Sequence, residues 1–344
     1  MKDDLDKYLE IVDNIPRVRV AVIGDIVADV YMYGRPFKLS REAPVIIVKY
    51  EGETVVPGSA GNTVNNLSRL GAKVFPIGLL GDDKEGNCLR DYFSGEGVDV
   101  SGLFVSKERG TISKTRLLAG DTHASKRQVV RIDKETPWKM PGSMETKILN
   151  HIDEVNNKVD VWIISDYGYD MITPRLLDKM LQIAKVKTVV ADSRNRICDF
   201  VGATVVAPNE TEAAAASGIN INGEDDVLRA GKKLLEAIGS EAVVITRGNY
   251  GMALFEKTGH VENIPICGPN EVTDVTGAGD TVTVMLALAI DAGASYVQAA
   301  RLSNYAAGVV VMKNGTATVS RPELIDIITR DLRGGGAHIG ERNG

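Results

Sequence analysis

The stretch DVTGAGD, residues 274–280, runs directly into an apolar segment, residues 281–290, whose composition predicts a buried helix. A loop of small residues that opens onto a helix leaves backbone N–H groups unpaired at the positive end of the helix dipole. Such a loop binds anions, and phosphate above all. Asp280 falls in the predicted first turn, where its carboxylate could accept the proton of a hydroxyl that attacks a held phosphoryl group. This pattern indicates a kinase.

A glycine-rich turn before a helix is also explained by ordinary helix capping, and this alternative must be weighed. A second motif favours the functional interpretation. The segment GSAGN, residues 58–62, precedes a predicted helix over residues 63–70, and GAKVFPIG from Gly71 then predicts a strand. The chain therefore carries two glycine loops that each open onto a helix, one near either end.

These two motifs, in this order, resemble the N- and C-terminal signatures of the ribokinase-like (PfkB) sugar kinases. The resemblance extends from about residue 18 to about residue 320. It is closest to the family branch of D-glycero-D-manno-heptose 7-phosphate kinases, the first domain of the bifunctional enzymes of lipopolysaccharide heptose synthesis. The matching segments are GDIVADVYMYG from Gly24, SREAPVIIV from Ser40, PGSAGNTVNNLSRLGA from Pro57, TISKTRLL from Thr111, SDYG from Ser165, APNETE from Ala207 and EVTDVTGAGDTV from Glu271.

The resemblance implies ATP-dependent phosphorylation of the anomeric C1 hydroxyl of D-glycero-D-manno-heptose 7-phosphate to the 1,7-bisphosphate, in nucleotide-activated heptose synthesis. Two alternatives stay open: a ribokinase-like kinase for another sugar or sugar phosphate, and a non-catalytic sugar-binding regulator on the same fold. The heptose kinases usually read SDYxKG where this chain reads SDYGYD from Ser165, so the lysine is missing. A regulator is expected to have lost the aspartate or the anion loop, and both are present. A Rossmann dehydrogenase is disfavoured because no GxGxxG follows the first predicted strand.

Composition narrows the possible partners. The 344 residues suffice for one large α/β domain with an accessory element, and a formal charge of -6 disfavours nucleic acid as a partner. The three cysteines and four histidines are dispersed, which argues against a disulfide framework, a zinc site or a Ser-His-Asp triad. No apolar stretch of about 18 residues and no signal-peptide core occur. We therefore expect a soluble cytoplasmic protein with reduced cysteines and no membrane contact.

Short β-branched runs alternate with helical patterns along the chain. Strands are predicted over residues 18–23, 73–77, 159–164, 188–191, 203–207 and 242–246, and helices over 63–70, 84–93, 143–155, 174–184, 210–216 and 225–238. This alternation predicts an α/β fold with a doubly wound, mainly parallel sheet flanked by helices. The family resemblance implies that this fold is ribokinase-like.

Two segments, about 44–56 and 112–132, alternate apolar and polar residues and predict antiparallel strands outside the main sheet. The resemblance implies a small β lid over the sugar site, which relatives often use to form a homodimer. An edge extension of the main sheet is the alternative. We expect a single kinase domain over residues 1–333 and a flexible, glycine-rich tail over 334–344. No HxGH-like nucleotidyltransferase signature is present, so the second activity of the bifunctional relatives is expected to be absent.

The resemblance assigns roles to the residues of the C-terminal motif. Asp280 matches the base that takes the proton of the acceptor hydroxyl. The expected anion hole consists of the N–H groups of Gly277, Ala278 and Gly279. Asp274 and Thr276 match positions whose oxygens hold a monovalent cation in several relatives, so K⁺ is an expected cofactor.

Nucleotide contacts are expected at three further places. Asn209 and Glu212 match the NxxE motif, which acts on Mg²⁺ and its water shell near the nucleotide phosphates. Mg²⁺ favours oxygen ligands and keeps waters, so one carboxylate and one amide suffice. Helix capping is the alternative role for both residues, and the two roles can coexist. The other expected ATP contacts are Thr246, Arg247, Gly248 and Gly251 of the TRGxxG turn, with Arg247 neutralising charge, and Asn304 and Gly315 on the adenine side.

The sugar is expected to lie near the first strand. Asp25 and Asp29 follow that strand, and paired carboxylates suit hydroxyl recognition because each accepts two or more hydrogen bonds. A turn cap is the alternative for Asp29. The remaining expected sugar contacts are Gly58 and Asn62, in the first glycine motif, and Asp166, at the end of a predicted strand.

Cationic side chains in the lid predict contact with a phosphate on the sugar. Lys114 and Arg116 share strand parity, as do Arg127 and Arg131, so each pair projects from one face of a regular strand. A distal phosphate accounts for these cations, because arginine binds phosphate oxygens bidentately. We therefore expect Lys114, Arg116 and Arg131 to bind the substrate. A solvated lid face paired with Asp121, Asp133 and Glu135 is the alternative.

Overall fold

The computed structural model describes residues 2–120, 126–135, 137–267 and 273–333. The predicted tail, residues 334–344, lies outside the described residues. The strands are β1 (Arg19–Gly24), β2 (Ile26–Leu39), β3 (Ile46–Ser59), β4 (Lys73–Gly81), β5 (Leu103–Ser106), β6 (Ser113–Ala119), β7 (Arg127–Lys134), β8 (Val161–Asp166), β9 (Thr188–Ser193), β10 (Val205–Val206), β11 (Ala242–Thr246), β12 (Met252–Glu256) and β13 (Val261–Ile264). The helices are α1 (Lys2–Asn14), α2 (Ala60–Arg69), α3 (Lys84–Gly95), α4 (Gly142–Asn156), α5 (Pro174–Ala184), α6 (Glu210–Ser217), α7 (Glu224–Ile238), α8 (Ala278–Asp291), α9 (Tyr296–Val310) and α10 (Arg321–Arg333).

The main sheet has nine strands in the order β13-β12-β11-β10-β9-β8-β1-β4-β5. The run from β11 to β5 is parallel, and β12 and β13 add an antiparallel edge. In β1, Val20 and Val22 belong to one hydrophobic cluster while Ala21 and Ile23 belong to another. Because alternate residues of a strand face opposite sides, both faces of the sheet are covered. The predicted doubly wound α/β fold is thus confirmed.

The predicted helices and strands of this sheet are all present. The helix α5 and the strand β11 have the predicted bounds, and the helix predicted over 281–290 forms most of α8. The strand predicted over 203–207 is shortened to two residues in β10. Within the described residues, no helix combines the length and apolar character needed to cross a bilayer.

A second sheet of four strands, in the order β3-β2-β6-β7, forms the lid. The predicted segments correspond to β3, β6 and β7, but one detail of the prediction was wrong. The long strand β2 lies between β3 and β6 and pairs with β6 in parallel, whereas the other pairs of this sheet are antiparallel. The sequence pattern missed β2 because the strand changes character along its length, from the buried Ile26 to the exposed Leu39.

Candidate active site

A cavity of about 520 Å³ lies between the lid and the carboxyl ends of the central strands, the position at which open α/β sheets bind ligands. It is lined by Lys114, Arg116, Arg131, Asp133 and Glu135 of the lid side, by Tyr167, Tyr169, Asp192 and Arg194, by Ala207, Asn209, Glu212 and Thr246, and by Val275, Thr276, Gly277 and Gly279. The structure thus brings together expected sugar-phosphate, nucleotide and anion-loop residues, although they come from distant parts of the chain.

The glycine loop at the start of α8 has the conformation of an anion site. Gly277 is the N-cap residue with φ 81°, and a Cβ there would lie 2.5 Å from Nδ2 of Asn62, so only glycine fits. The N–H of Ala278, which was expected in the anion hole, donates to the carbonyl oxygen of Val275 at 3.2 Å. Within the described residues, the N–H groups of Gly277, Gly279 and Asp280 have no acceptor. These groups remain available to an anion.

Asp280 is buried directly behind this loop, with 4% of its surface exposed. Its Oδ2 accepts a hydrogen bond from Nδ2 of Asn62 at 2.8 Å, and its Oδ1 accepts one from the hydroxyl of Tyr167 at 2.7 Å. Burial raises the pKa of Asp280 to about 6, although these two hydrogen bonds oppose the increase. A carboxylate with this pKa is largely ionised at neutral pH and is more basic than an ordinary aspartate, as general-base catalysis requires.

Asn62, which was expected to contact the sugar, lies outside the cavity lining. It is fully buried, and its side chain holds Asp280 and accepts a hydrogen bond from Asn66, whose Oδ1 in turn accepts one from Thr281. The first glycine motif therefore supports the carboxylate at the start of α8. Gly58 is explained by its neighbour as well, because a Cβ at this position would lie 2.5 Å from Oδ2 of Asp29.

Asp25 and Asp166, both expected to contact the sugar, lie outside the cavity lining and have other partners. Asp25 accepts hydrogen bonds from the N–H groups of three alternate residues after β8, Tyr167, Tyr169 and Met171, and burial raises its pKa to about 6. Asp166 is paired with the guanidinium of Arg196 at 2.8 Å and accepts the hydroxyl of Ser193. Because their oxygens already accept these hydrogen bonds, both carboxylates stabilise the structure around the cavity.

Two of the three expected lid cations are paired with carboxylates. Arg116 binds Asp29 at 2.6 Å, and Arg131 binds Asp133 at 2.8 Å, so the alternative of paired lid charges is correct for Arg131. Asp29 is thus paired with Arg116. Its Oδ1, one of the oxygens expected to bind the sugar, accepts the hydrogen bond from this arginine.

Lys114 differs from these arginines. Only 8% of its surface is exposed, and within the described residues its ammonium group has no hydrogen bond or ion pair. Burial lowers the pKa of Lys114, and the nearby charge of Arg194 lowers it further. Arg194, which sequence reasoning missed, lines the same cavity and stacks on the Tyr167 ring at 4.5 Å. The cavity thus contains two cations with no carboxylate at ion-pair distance in the described part of the chain, although the charges of Asp29 and Asp133 act on Lys114 from farther away.

The expected magnesium residues, Asn209 and Glu212, also line the cavity. Asn209 and Glu212 form a capping box at the start of α6, with both hydrogen bonds at 2.9 Å, so the capping role is present. Burial raises the pKa of Glu212. Burial also raises the pKa of Asp192 in β9, and the charges of Glu212 and Asp280 add to that shift. A cation would relieve this repulsion. Among the described residues, no three or more His, Cys, Asp or Glu side chains are grouped to hold a metal by themselves.

The remaining expected nucleotide residues divide into two groups. Thr246 lines the cavity, whereas Arg247 lies outside its lining and is bound by Glu224 at 2.8 Å and Glu210 at 2.9 Å. Because both contacts pair the guanidinium with carboxylates, they disfavour the expected role of Arg247 in neutralising phosphate charge. Outside the cavity lining, Gly248 and Gly251 shape the turn with positive φ, Asn304 donates to the carbonyl of Pro265, and Gly315 donates to Asp274.

Asp274 and Thr276 are bonded to each other, with the Thr276 hydroxyl 2.7 Å from Oδ1 of Asp274. Burial alone would raise the pKa of Asp274, but the hydrogen bonds from Thr276 and Gly315 outweigh it and lower the pKa. The carboxylate is therefore ionised and suits a monovalent cation, and it also fixes the loop that leads into α8.

Comparison with known proteins identifies the class. Residues 18–324 match the pfkB family of carbohydrate kinases, and the chain belongs to this family and is an ATP-dependent sugar kinase. Among its relatives is the bifunctional protein HldE of Geobacter metallireducens, which is 42% identical over 311 residues, 90% of this chain and 62% of the relative. The chain thus spans less than two thirds of the length of that relative.

Solved structures agree with the fold. Ribokinase of Arabidopsis thaliana, complexed with ribose and ATP, superposes with a TM-score of 0.72 at 19% identity, covering 90% of this chain and 98% of the other. Phosphofructokinase-2 of Escherichia coli, in complex with potassium, superposes with a TM-score of 0.71 at 16% identity, covering 91% and 98%. At these identities, the likeness concerns the fold.

Proposed function

We propose that the protein uses ATP to phosphorylate the anomeric C1 hydroxyl of D-glycero-D-manno-heptose 7-phosphate, giving the 1,7-bisphosphate for nucleotide-activated heptose synthesis. The observation that carries this proposal is Lys114, a buried cation in the cavity with no anionic partner among the described residues. A buried unpaired charge is costly, and a phosphate on the substrate would compensate it. The similarity to HldE proteins supports the same substrate.

The residues around the cavity account for the chemical step. Asp280 takes the proton of the acceptor hydroxyl as the acceptor oxygen bonds to the γ-phosphorus. The bond from phosphorus to the bridging oxygen breaks, and ADP leaves. The N–H groups of Gly277 and Gly279 stabilise the charge on the transferring phosphoryl oxygens, and Arg194, with no carboxylate partner in the described residues, takes the role expected of Arg247.

The proposed cofactors are Mg²⁺ with ATP, and K⁺. Asn209, Glu212 and Asp192 offer the oxygen ligands that Mg²⁺ prefers. Burial raises the pKa of both carboxylates, and for Asp192 the negative charges of Glu212 and Asp280 add a repulsion that a divalent cation would relieve. Bound Mg²⁺ would neutralise charge on the phosphates. Asp274 and Thr276 are the proposed K⁺ residues, a role supported by the potassium complex of the E. coli neighbour.

The lid sheet also supports a proposed homodimer. Leu39, Val45, Ile46 and Ile132 of this region are all more than half exposed. Leu39, Val45 and Ile46 lie together at the end of the β2–β3 pair, and Ile132 lies on the opposite edge strand, β7. Exposed apolar residues on edge strands are often covered by a second chain. Light scattering of the purified protein tests the proposal, with Ile46→Asp as the variant that should dissociate the dimer. A strict monomer at micromolar concentration would contradict it.

A coupled ADP-release screen over sugars and sugar phosphates tests the substrate, and NMR of the product identifies the phosphorylated carbon. We expect the heptose 7-phosphate to be the best substrate and heptose without the phosphate to be poor. Equal efficiency with both sugars would overturn the role of Lys114. Another phosphosugar is the second candidate, favoured by Tyr169, which stands where the heptose kinases have lysine. A higher kcat/KM for a different sugar phosphate would establish it.

A further inference from the structure

The two oxygens of the Asp280 carboxylate are held by donors of different kinds. Asn62 binds Oδ2 from the buried side, with no exposed surface of its own. Tyr167 binds Oδ1 at 2.7 Å and also lines the cavity. Oδ1 also accepts a longer hydrogen bond, at 3.4 Å, from the buried hydroxyl of Thr63. Tyr167 donates the shorter bond and is the donor on the cavity side, from which an acceptor hydroxyl approaches Oδ1.

Tyr167 is itself held in place by buried charge. Oδ2 of Asp25 accepts the N–H groups of Tyr167, at 2.9 Å, and of Tyr169, and Oδ1 accepts that of Met171 at 3.2 Å. Arg109, also buried, donates to the carbonyl oxygen of Tyr169 at 2.9 Å. A carboxylate that accepts three backbone hydrogen bonds fixes the backbone of the loop after β8, and hence the root of the Tyr167 side chain.

The ring of Tyr167 is fixed as well. The guanidinium of Arg194 lies 4.5 Å from the ring centroid, and the ammonium of Lys114 lies 5.7 Å from it. Both distances are within the range of a cation–π contact, which favours one ring orientation. The ring of Tyr167 thus contacts both Arg194 and Lys114, and its hydroxyl binds Asp280.

We propose that Tyr167 is a positioning residue of the kinase reaction: its hydroxyl turns Oδ1 of Asp280 toward the acceptor and keeps that carboxylate ready to take the proton. A carboxylate oxygen can accept more than one hydrogen bond, so Oδ1 of Asp280 can accept from the phenol while the acceptor hydroxyl approaches the same oxygen. The tyrosine neither gains nor loses a proton in the reaction. The inference rests on the proposed function only in requiring an acceptor sugar.

Other charged groups also act on Asp280, and the test must separate Tyr167 from them. Arg194, after β9, favours the ionised carboxylate, and the negative charges of Asp29 in β2 and Asp192 in β9 oppose it. The hydrogen bond from Tyr167 favours the ionised form. Removing the hydroxyl alone leaves the other three groups in place, so the pKa of Asp280 should rise.

The test compares Tyr167→Phe with Tyr169→Phe in the intact protein. Tyr169 is the matched control, because it lies on the same loop and lines the same cavity, but its hydroxyl binds Glu135 at 3.0 Å. The pH dependence of kcat is measured with ATP and D-glycero-D-manno-heptose 7-phosphate at saturation. Ionisation of the substrate is common to all the proteins, so only differences between their profiles count.

We expect the acid limb of the Tyr167→Phe profile to move up by about one pH unit, which is the scale of one hydrogen bond to a charged group. At pH 6 this shift alone lowers turnover about fivefold, and the loss should disappear at higher pH. In Tyr169→Phe the acid limb should stay in place. A merely structural role for Tyr167 would lower the rate equally at all pH values.

A second measurement guards against a variant that does not fold. Placing 3-fluorotyrosine at position 167 keeps the ring and the hydroxyl but makes the phenol a stronger donor, so the acid limb should move down. An active Tyr167→Phe protein with an unmoved limb, an equal shift in Tyr169→Phe, or a fluorotyrosine protein with an unmoved limb would each overturn the proposal. Absence of ADP release from the unaltered protein would count against the proposed substrate instead.

Discussion

Replacing Asp280 by asparagine should make the protein more stable while it removes most of the activity. Folding raises the pKa of Asp280 from its ordinary value of 3.8 to about 6, with burial as the main cause. A shift of about two units means that burying the ionised carboxylate costs about 3 kcal/mol at neutral pH. Asparagine has the same shape and no charge, so this cost disappears. Its amide oxygen can accept from Asn62, and its NH₂ group can donate to the hydroxyl oxygen of Tyr167.

The pH dependence of this effect has a definite sign. The folded state holds the Asp280 proton up to about pH 6, whereas the unfolded chain loses it near pH 4. The free energy of unfolding of the unaltered protein therefore falls between these values, and the full cost is present only above them. The advantage of Asp280→Asn should be about 3 kcal/mol at pH 7.5 and about 1 kcal/mol at pH 4.5. For a chain of this length, the larger value corresponds to a rise in Tm of about 4 °C.

Thermal unfolding at the two pH values, together with ADP release, measures both effects. Turnover should fall roughly 10²- to 10⁴-fold, the usual contribution of a positioned base. The matched control is Asp166→Asn, another buried aspartate, which should lose about 2 kcal/mol because it leaves Arg196 without its partner. If Asp280→Asn melted at or below the unaltered protein at pH 7.5, the burial argument would be refuted. Turnover within about threefold of the unaltered protein would exclude Asp280 as the base.

Three further substitutions test the rest of the site. Lys114→Met should raise KM for the phosphosugar about tenfold or more and KM for ATP far less. Lys126→Met is the control: Lys126 is a lid lysine outside the cavity lining, so its replacement should change neither KM value. Glu212→Gln should raise the Mg²⁺ concentration for half-maximal activity about tenfold or more. The melting temperature should not fall, because the amide oxygen keeps the helix cap and the loss of a buried charge is favourable. Arg247→Met should lower the melting temperature, because its two carboxylate partners lose their cation, and it should change kcat little. A large fall in kcat with unchanged stability would instead place this arginine at the phosphates.

The fold could be predicted because its signals are local. Alternating strand and helix patterns, with two glycine loops that open onto helices, define the doubly wound sheet, and each strand of its parallel core needs only its own apolar run to be recognised. The strand β2 carries no such uniform signal, because its first residues pack into the core and its last residues are exposed in the lid. Its parallel pairing with β6 depends on the whole lid sheet and is not a property of either segment.

The site was predicted only in part, for the same reason. Strand parity correctly placed Lys114 and Arg116 toward the cavity. Parity could not show that Asp29 of β2 lies beside β6 and neutralises Arg116, because that contact depends on the register between two strands far apart in sequence. Tyr167 and Asp280 likewise meet across 113 residues. The SDYG segment was the one sequence signal for Tyr167, and it gave no indication of a hydroxyl directed at the base.

The position of the Tyr167 ring explains how the site keeps two opposite charges apart. Asp280 and Lys114 are both buried, and each lacks a direct partner of opposite charge in the described residues. If they met, they would form an ion pair that blocks the base and fills the proposed phosphate site at once. The ring lies against Lys114 on its face and reaches Asp280 through its hydroxyl. The ring thus stabilises the ammonium of Lys114 through its face and the carboxylate of Asp280 through its hydroxyl. Because the two charges do not pair with each other, both remain available to the substrate.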